Sequence, residues 1–182
     1  MGKDTVLGAL RRSGEGAYGF PVNATTRERR PSEEEGVDYF FLSDHEFSRR
    51  VAAGDFLEHA TVYGQSKGVL KEQVREILNS GRSALLRTDI QGARYIKSIL
   101  PQAVTIFIAA PSLEQMEERL LSRGGDSPEQ LRVRIDTAAL EMAAAKEFDY
   151  TVVNDDLDRC VEEIQEIIRR EQARPGRAAT AV

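Results

Sequence analysis

Short apolar runs alternating with amphipathic segments predict an α/β fold: a mainly parallel sheet flanked by helices, with an inserted, mostly β lobe. Three observations point there. Ala84-Leu85-Leu86 and Val104-Thr105-Ile106-Phe107-Ile108 are compact apolar runs, as expected of parallel strands covered on both faces. Leu157, Val161, Ile164, Ile167 and Ile168 recur at helical spacing and mark an amphipathic last helix. Residues 20–68 are rich in strand signals and interrupt the alternation of strand with helix, which sets them apart as an insertion.

Along the chain, Val6, Leu7 and Leu10 share one face of a helix that starts near Lys3 and stops before Ser13-Gly14. The Gly-rich residues 13–19 read as a loop, and Phe20 to Val22 begins a strand. The aromatic stretch Val37 to Leu42 is a further strand. Ser43-Asp44-His45-Glu46 has the form of a capping box, with Ser43 and Glu46 in reciprocal roles, and the helix it opens ends at Gly54. Phe56 to Tyr63 reads as a strand, Leu70 to Ser80 as a helix closed by Gly81, and Gln91 to Leu100 as the helix joining the two apolar strands. Ser112 caps a helix over Leu113 to Leu121, Arg123-Gly124-Gly125-Asp126 breaks it, and Ser127-Pro128-Glu129-Gln130 opens the next. Asp149 to Val153 is the last strand.

The 182 residues suit one domain, expected over residues 1–172, with a disordered tail over 173–182 where Pro175, Gly176 and small side chains collect. Net charge is −5, so a broad basic face for non-specific nucleic-acid binding is excluded, and cations for an anionic ligand must be gathered locally. The single cysteine, Cys160, precludes an internal disulfide and suits a reducing compartment; its apolar helical position reads as core filler. No apolar run reaches the ~18 residues of a membrane span, and the first residues lack the apolar stretch of a signal peptide. His45 and His59 have no metal-ligand spacing.

Two clusters carry the chemistry. Thr25-Thr26-Arg27-Glu28-Arg29-Arg30-Pro31 gathers three guanidinium groups beside hydroxyls, and arginine's planar fork of donors matches phosphate oxygens. Asp89-Ile90-Gln91-Gly92 puts an acid at the end of an apolar run, where α/β proteins place ligand contacts and where an idle carboxylate would be costly. Gly2-Lys3-Asp4-Thr5 before Val6-Leu7 has the form of a P-loop at the point where its helix begins. The full pattern needs an earlier Gly and an apolar strand, so the first strand and most of the loop are expected to be missing. ATP binding is expected to be weakened accordingly.

Taken in order, these motifs resemble the guanylate kinase family of P-loop nucleoside monophosphate kinases. The stretches are Gly2-Lys3, Asn23-Ala24-Thr25-Thr26-Arg27-Glu28-Arg29-Arg30-Pro31, Gly36-Val37-Asp38-Tyr39, Phe56-Leu57-Glu58, Asp89-Ile90-Gln91-Gly92, Arg123-Gly124-Gly125-Asp126 and Val153-Asn154-Asp155-Asp156-Leu157. The resemblance covers nearly the whole chain and implies a P-loop kinase core, a GMP-binding lobe at about 20–68 and a short helical lid at about 122–134. It implies Mg²⁺-dependent transfer of phosphate from ATP to GMP, with small-molecule substrates and no nucleic-acid or membrane partner. A soluble, reducing setting, cytoplasm or organelle stroma or matrix, goes with it.

Carried over residue by residue, Arg27 and Arg30 match the arginines on the GMP phosphate, Tyr39 a tyrosine that hydrogen-bonds it, and Glu58 the acid facing the guanine edge. Gly2, Lys3, Asp4 and Thr5 fall on the ATP loop, with Lys3 neutralising the transferring phosphates. Arg123 and Arg134 match lid arginines and Asn154 a residue near the adenine. Asp89 is a candidate contact to GMP and, through water, to magnesium.

Some positions depart from the common pattern. Asp4 replaces the usual Ser or Thr, Asn23 a Ser, and Lys67-Gly68-Val69 a Tyr-Gly-Thr/Ser; Arg87 stands where many relatives have an acid. Lys67 then serves as the phosphate donor and Val69 removes a donor to guanine O6. Gly-Lys-Asp, Lys-Gly and the Leu86-to-Gly92 stretch resemble the plant-organelle members of the family. A non-catalytic binding module of the same fold, or an inactive fragment, is the alternative left by the shortened loop.

Overall fold

The computed structural model describes residues 3–13, 16–62, 64–112, 114 and 142–174. Two compact units divide the chain, one made of residues 1–13 and 104–175, the other essentially of residues 14–103.

In the first unit, α1 (Lys3–Ser13) and the last helix, α5 (Leu157–Gln172), belong together. Val6 and Leu10 of α1 are buried, as are Val161, Ile164, Ile167 and Ile168 of the stripe the sequence spacing predicts in α5, with Cys160 beside them and Leu157 only partly covered. Gln165 Nε2 donates to Ser13 Oγ at 3.1 Å at the end of α1. Asp156 caps α5, its carboxylate accepting from the Arg159 amide at 2.9 Å. Strands β7 (Ile106–Ala109) and β8 (Tyr150–Val153) pair in parallel, from Ile106 opposite Tyr150 to Ala109 opposite Val153. Asp149 Oδ2 fixes that register, accepting from both the amide and the hydroxyl of Thr105. Cys160 is fully buried and burial pushes its thiol up to about 11, so it is core filler.

In the second unit, β1 (Tyr18–Gly19) pairs in parallel with β6 (Ser83–Ala84). A separate four-stranded sheet has the order β3-β2-β5-β4, built from β2 (Asn23–Thr25), β3 (Phe40–Phe41), β4 (Phe56–Val62) and β5 (Gln65–Leu70). β5 is antiparallel to both β2 and β4, while β3 runs parallel to β2. Helix α2 (Asp44–Ala52) sits in the link from β3 to β4, α3 (Lys71–Asn79) follows β5 directly, and α4 (Ile90–Ile99) follows β6.

One face of this sheet is closed by a cluster of Ala24, Phe47, Phe56 and Leu70, with the Phe47 and Phe56 rings stacked at 4.4 Å. Leu57, Val69 and Val74 form a second cluster, extended by Leu78, Ala84, Leu86 and Leu100. Both are drawn from strand and helix residues that the hydrophobic pattern marks as inward.

Three expectations shift in detail. The strand expected at Phe20–Val22 is split into β1 and β2, on either side of Pro21, which has no N–H to give to a ladder. The strand expected over Val37–Leu42 shrinks to Phe40–Phe41, because the amides of Val37 and Asp38 turn back onto the Glu34 carbonyl. The capping box is half made. Ser43 Oγ accepts from the Glu46 amide at 3.1 Å, but the Glu46 carboxylate reaches forward to Arg49 and Arg50 instead of back to Ser43. Those guanidinium donors hold its carboxyl down at about 2. The helices expected at 113–121 and from 127 lie outside the described residues. No helix among the described residues is long and apolar enough to cross a membrane.

The half-made box yields a prediction. Ser43→Ala should cost about 1 kcal/mol in chemical denaturation, whereas Glu46→Gln, which leaves the Ser43 cap intact, should cost clearly less.

Candidate active site

The register of the four-stranded sheet decides which polar side chains meet. Asn23 lies opposite Val69, which lies opposite Glu58; one step along, Thr25 lies opposite Lys67, which lies opposite Ala60. Side chains alternate between faces along a strand, so Asn23, Thr25, Lys67, Val69 and Glu58 share one face. The pairing of β4 with β5 slips between Phe56 and Glu58, leaving Leu57 as the extra residue of a bulge. Without it, strict alternation would set Leu57 and Glu58 on opposite faces. With it, Leu57 enters the Val69 cluster and Glu58 follows alongside. Gly68, between Lys67 and Val69, has no room for a side chain: a Cβ there would lie 2.6 Å from a Phe56 ring carbon and 2.8 Å from the Glu58 carbonyl oxygen.

Glu58 is half-buried, and its carboxyl is pushed above the ordinary glutamate range, first by burial and then by the charge of Asp89. Asp89 is the N-cap of α4, Oδ1 accepting from the Gly92 amide at 2.8 Å. The need for glycine at 92 is steric. A Cβ would lie 1.9 Å from Thr88 Oγ1 and 3.4 Å from Glu58 Oε2. Part of the Asp-x-Gln-Gly pattern is therefore a helix start fitted closely beneath a carboxylate.

The arginine cluster is held by its neighbours. Thr25 is fully buried; its hydroxyl donates to the Ser66 carbonyl and accepts from the Arg27 amide. Thr26 Oγ1 accepts from the Ser66 amide at 3.0 Å, and its own amide donates to the Ser66 carbonyl. The two threonines thus anchor the arginine loop to β5. Arg27 Nη2 donates to Glu33 Oε1 at 2.6 Å, both side chains being mostly covered, and Glu33 Oε2 accepts from the Arg30 amide at 2.8 Å. These donors hold the Glu33 carboxyl below the usual range, the Arg27 guanidinium first. The Arg27 guanidinium also lies over the rings of Tyr39 and Phe41, 5.6 and 5.8 Å from their centroids. Arg87 Nη2 donates to Tyr39 Oη at 3.2 Å.

Asn23, Arg27, Arg30, Tyr39, Glu58, Lys67 and Asp89 therefore all fall in the unit of residues 14–103, with Arg30, Lys67 and Asp89 exposed. Lys3, Asp4, Thr5 and Asn154 fall in the other. Lys3, Asp4 and Thr5 form the first turn of α1, Thr5 being exposed. Asn154 is buried just after β8, its amide donating to the Ala109 carbonyl. Gly2, Arg123 and Arg134 lie outside the described residues. Among the described residues no group of three His, Cys, Asp or Glu side chains is placed to hold a metal ion.

Glu33 went unnoticed in sequence because it sits in the run Glu33-Glu34-Glu35, which reads as solvated charge. Its distinguishing signal is its place a few residues beyond three arginines. Val69 is a core residue, so its lack of a donor follows from its packing.

The Glu58 environment can be tested without ligand. Its side-chain carboxyl carbon, followed by NMR, should titrate with a midpoint above that of an ordinary glutamate, and Asp89→Asn should lower that midpoint. Asparagine caps as well as aspartate does, so α4 should survive the change.

A family model described as guanylate kinase matches residues 1–171. The guanylate kinase of Symbiobacterium thermophilum is 41% identical over 182 residues, covering 100% of this chain and 86% of its own length. That of Hahella chejuensis is 42% identical over 173 residues, 95% of this chain and 83% of its own. A crystal structure of guanylate kinase from Anaplasma phagocytophilum aligns with a TM-score of 0.76 at 32% identity, covering 94% of this chain and 83% of that one. With the ordered motifs, the α/β architecture and these matches agreeing, the chain belongs to the guanylate kinase family.

Proposed function

We propose that this chain transfers the γ-phosphate of ATP to GMP, giving ADP and GDP. One arrangement carries the reading: an arginine clamp already gripping a carboxylate, in the same unit as a half-buried acid of raised pKa. The Glu33 carboxylate on Arg27 Nη2 stands in for a phosphate monoester, and Arg27, Arg30 and the Tyr39 hydroxyl supply donors to that phosphate. Lys67 adds a point charge from the shared sheet face, and Asn23 lies beside it. Glu58 accepts from guanine N1–H and the 2-amino group. Adenine offers no such donor pair, and AMP would leave a buried carboxylate unpaired.

Residues 1–172 act as one kinase domain in this reading, with the GMP lobe at about 20–68 and the lid at about 122–134. On the ATP side, Lys3, Asp4 and Thr5 open α1, whose N-terminus favours phosphate, and Gly2 completes the ATP-binding set. Arg123 and Arg134 neutralise the triphosphate and Asn154 lies by the adenine. A GMP phosphate oxygen attacks the γ-phosphorus, the bond to the ADP oxygen breaks, and no covalent enzyme intermediate forms. The protein's part is alignment, charge neutralisation and exclusion of water. Magnesium bound with ATP would supply further charge neutralisation to the phosphates, and Asp89 would hold it through water.

The test is a coupled assay of ADP formation from ATP and Mg²⁺ with GMP, with AMP as control, alongside calorimetry of GMP binding. GMP-dependent turnover is expected. Binding of GMP with no turnover would turn the reading to a binding module, and absence of both would overturn it. Glu58→Gln should reduce the preference for GMP over AMP by roughly a hundredfold. Because only ionised Glu58 accepts both guanine protons, affinity for guanosine, which carries no titrating phosphate, is full above the raised Glu58 pKa. It should be lost as the pH falls through that value.

A further inference from the structure

We infer that Arg87 is a positioning residue for Tyr39, turning its hydroxyl into a committed donor toward the substrate phosphate; this rests on the GMP reading above. Tyr39 is gripped at two points by cations from different parts of its unit. Arg27 lies over the ring at 5.6 Å, and Arg87, three residues past β6, donates to the hydroxyl oxygen at 3.2 Å.

A phenol has one proton to give and lone pairs to receive. Once a guanidinium N–H fills a lone pair, which guanidinium can do only as donor, the phenolic proton is left to point at another acceptor. The guanidinium over the Tyr39 ring is the one that already holds the Glu33 carboxylate, so an anion-binding place lies alongside. A cation on the oxygen also polarises the O–H bond and makes it a stronger donor. An acid at position 87 would do the opposite, accepting the phenolic proton and turning the hydroxyl's lone pairs toward the phosphate. Arginine at 87 and tyrosine at 39 thus form a matched pair, with Arg87 acting through Tyr39.

The experiment is a double-mutant cycle read by calorimetry with two ligands, GMP and guanosine, on the full chain. Arg87→Ala should weaken GMP binding roughly tenfold and leave guanosine binding unchanged, since only the phosphate feels Tyr39. In a Tyr39→Phe background, Arg87→Ala should add less than about a twofold further loss. Arg87→Gln, which keeps an N–H donor without the charge, should recover part of the affinity. Equal losses in both backgrounds would mean that Arg87 acts independently of Tyr39, and equal losses for guanosine that it supports the fold or the base; either overturns the inference. Unchanged GMP binding by Arg87→Ala overturns it too. If the unaltered protein itself binds no GMP, the GMP reading falls, and the inference with it.

Discussion

The slip of one residue between β4 and β5 is the constraint on which the setting of Glu58 depends. A strand with strict alternation delivers one side chain per face, and neighbours cannot serve the same surface. The bulge at Leu57 breaks that rule locally. It lets one residue fill the Val69 cluster and the next present a carboxylate beside it. Partial burial raises the Glu58 pKa, and the charge of Asp89 adds to it. Gly68 completes the arrangement, since any larger residue would collide with Phe56 and the Glu58 backbone. Core and chemistry are thus specified by the same few residues.

The arginine side follows a different rule. Guanidinium groups held together repel one another and need partners when no ligand is bound. Here the partner of Arg27 is Glu33, which accepts from Arg27 Nη2 and from the Arg30 backbone amide at once, while Arg27 Nη1 donates to the Glu28 carbonyl. The threonine pair ties the loop to Ser66. The loop is shaped in advance and the Arg27 charge is met by Glu33, so in the proposed function a phosphate has to compete with a carboxylate for Arg27. That competition favours a ligand of higher charge and more oxygens.

Much of this was legible in sequence because periodicity and punctuation report local physics. α2, α3, α4 and α5 begin and end within a residue or two of where caps, glycines and apolar stripes set them. Other features escaped because they depend on partners that lie outside the short motif in which they are read. The failure of Glu46 to close its box follows from competition by Arg49 and Arg50, which a four-residue motif does not contain. The loss of most of the aromatic strand at 37–42 follows from a turn onto Glu34. In the site, the residue types at 27, 39, 58 and 89 were readable from motif order. The bulge and the bond between Arg87 and Tyr39 were not, since each needs residues far apart in the chain to be placed in space, and the Glu33 contact was hidden in a run of three glutamates. Asp89 was legible as a special position, but its capping of α4 gives it a structural duty beside any chemical one.

The buried Cys160 has a practical consequence of another kind. It is the chain's sole thiol, it is fully covered, and burial keeps it protonated at neutral pH. Thiol-directed dyes and spin labels will therefore pass it over in the folded protein. Cysteines introduced at exposed sites such as Ser48 in one unit and Asp158 in the other can carry probes without first stripping the native residue. The protein comes ready for spectroscopic rulers, and the spacing of its two units becomes measurable in solution while nucleotides are added.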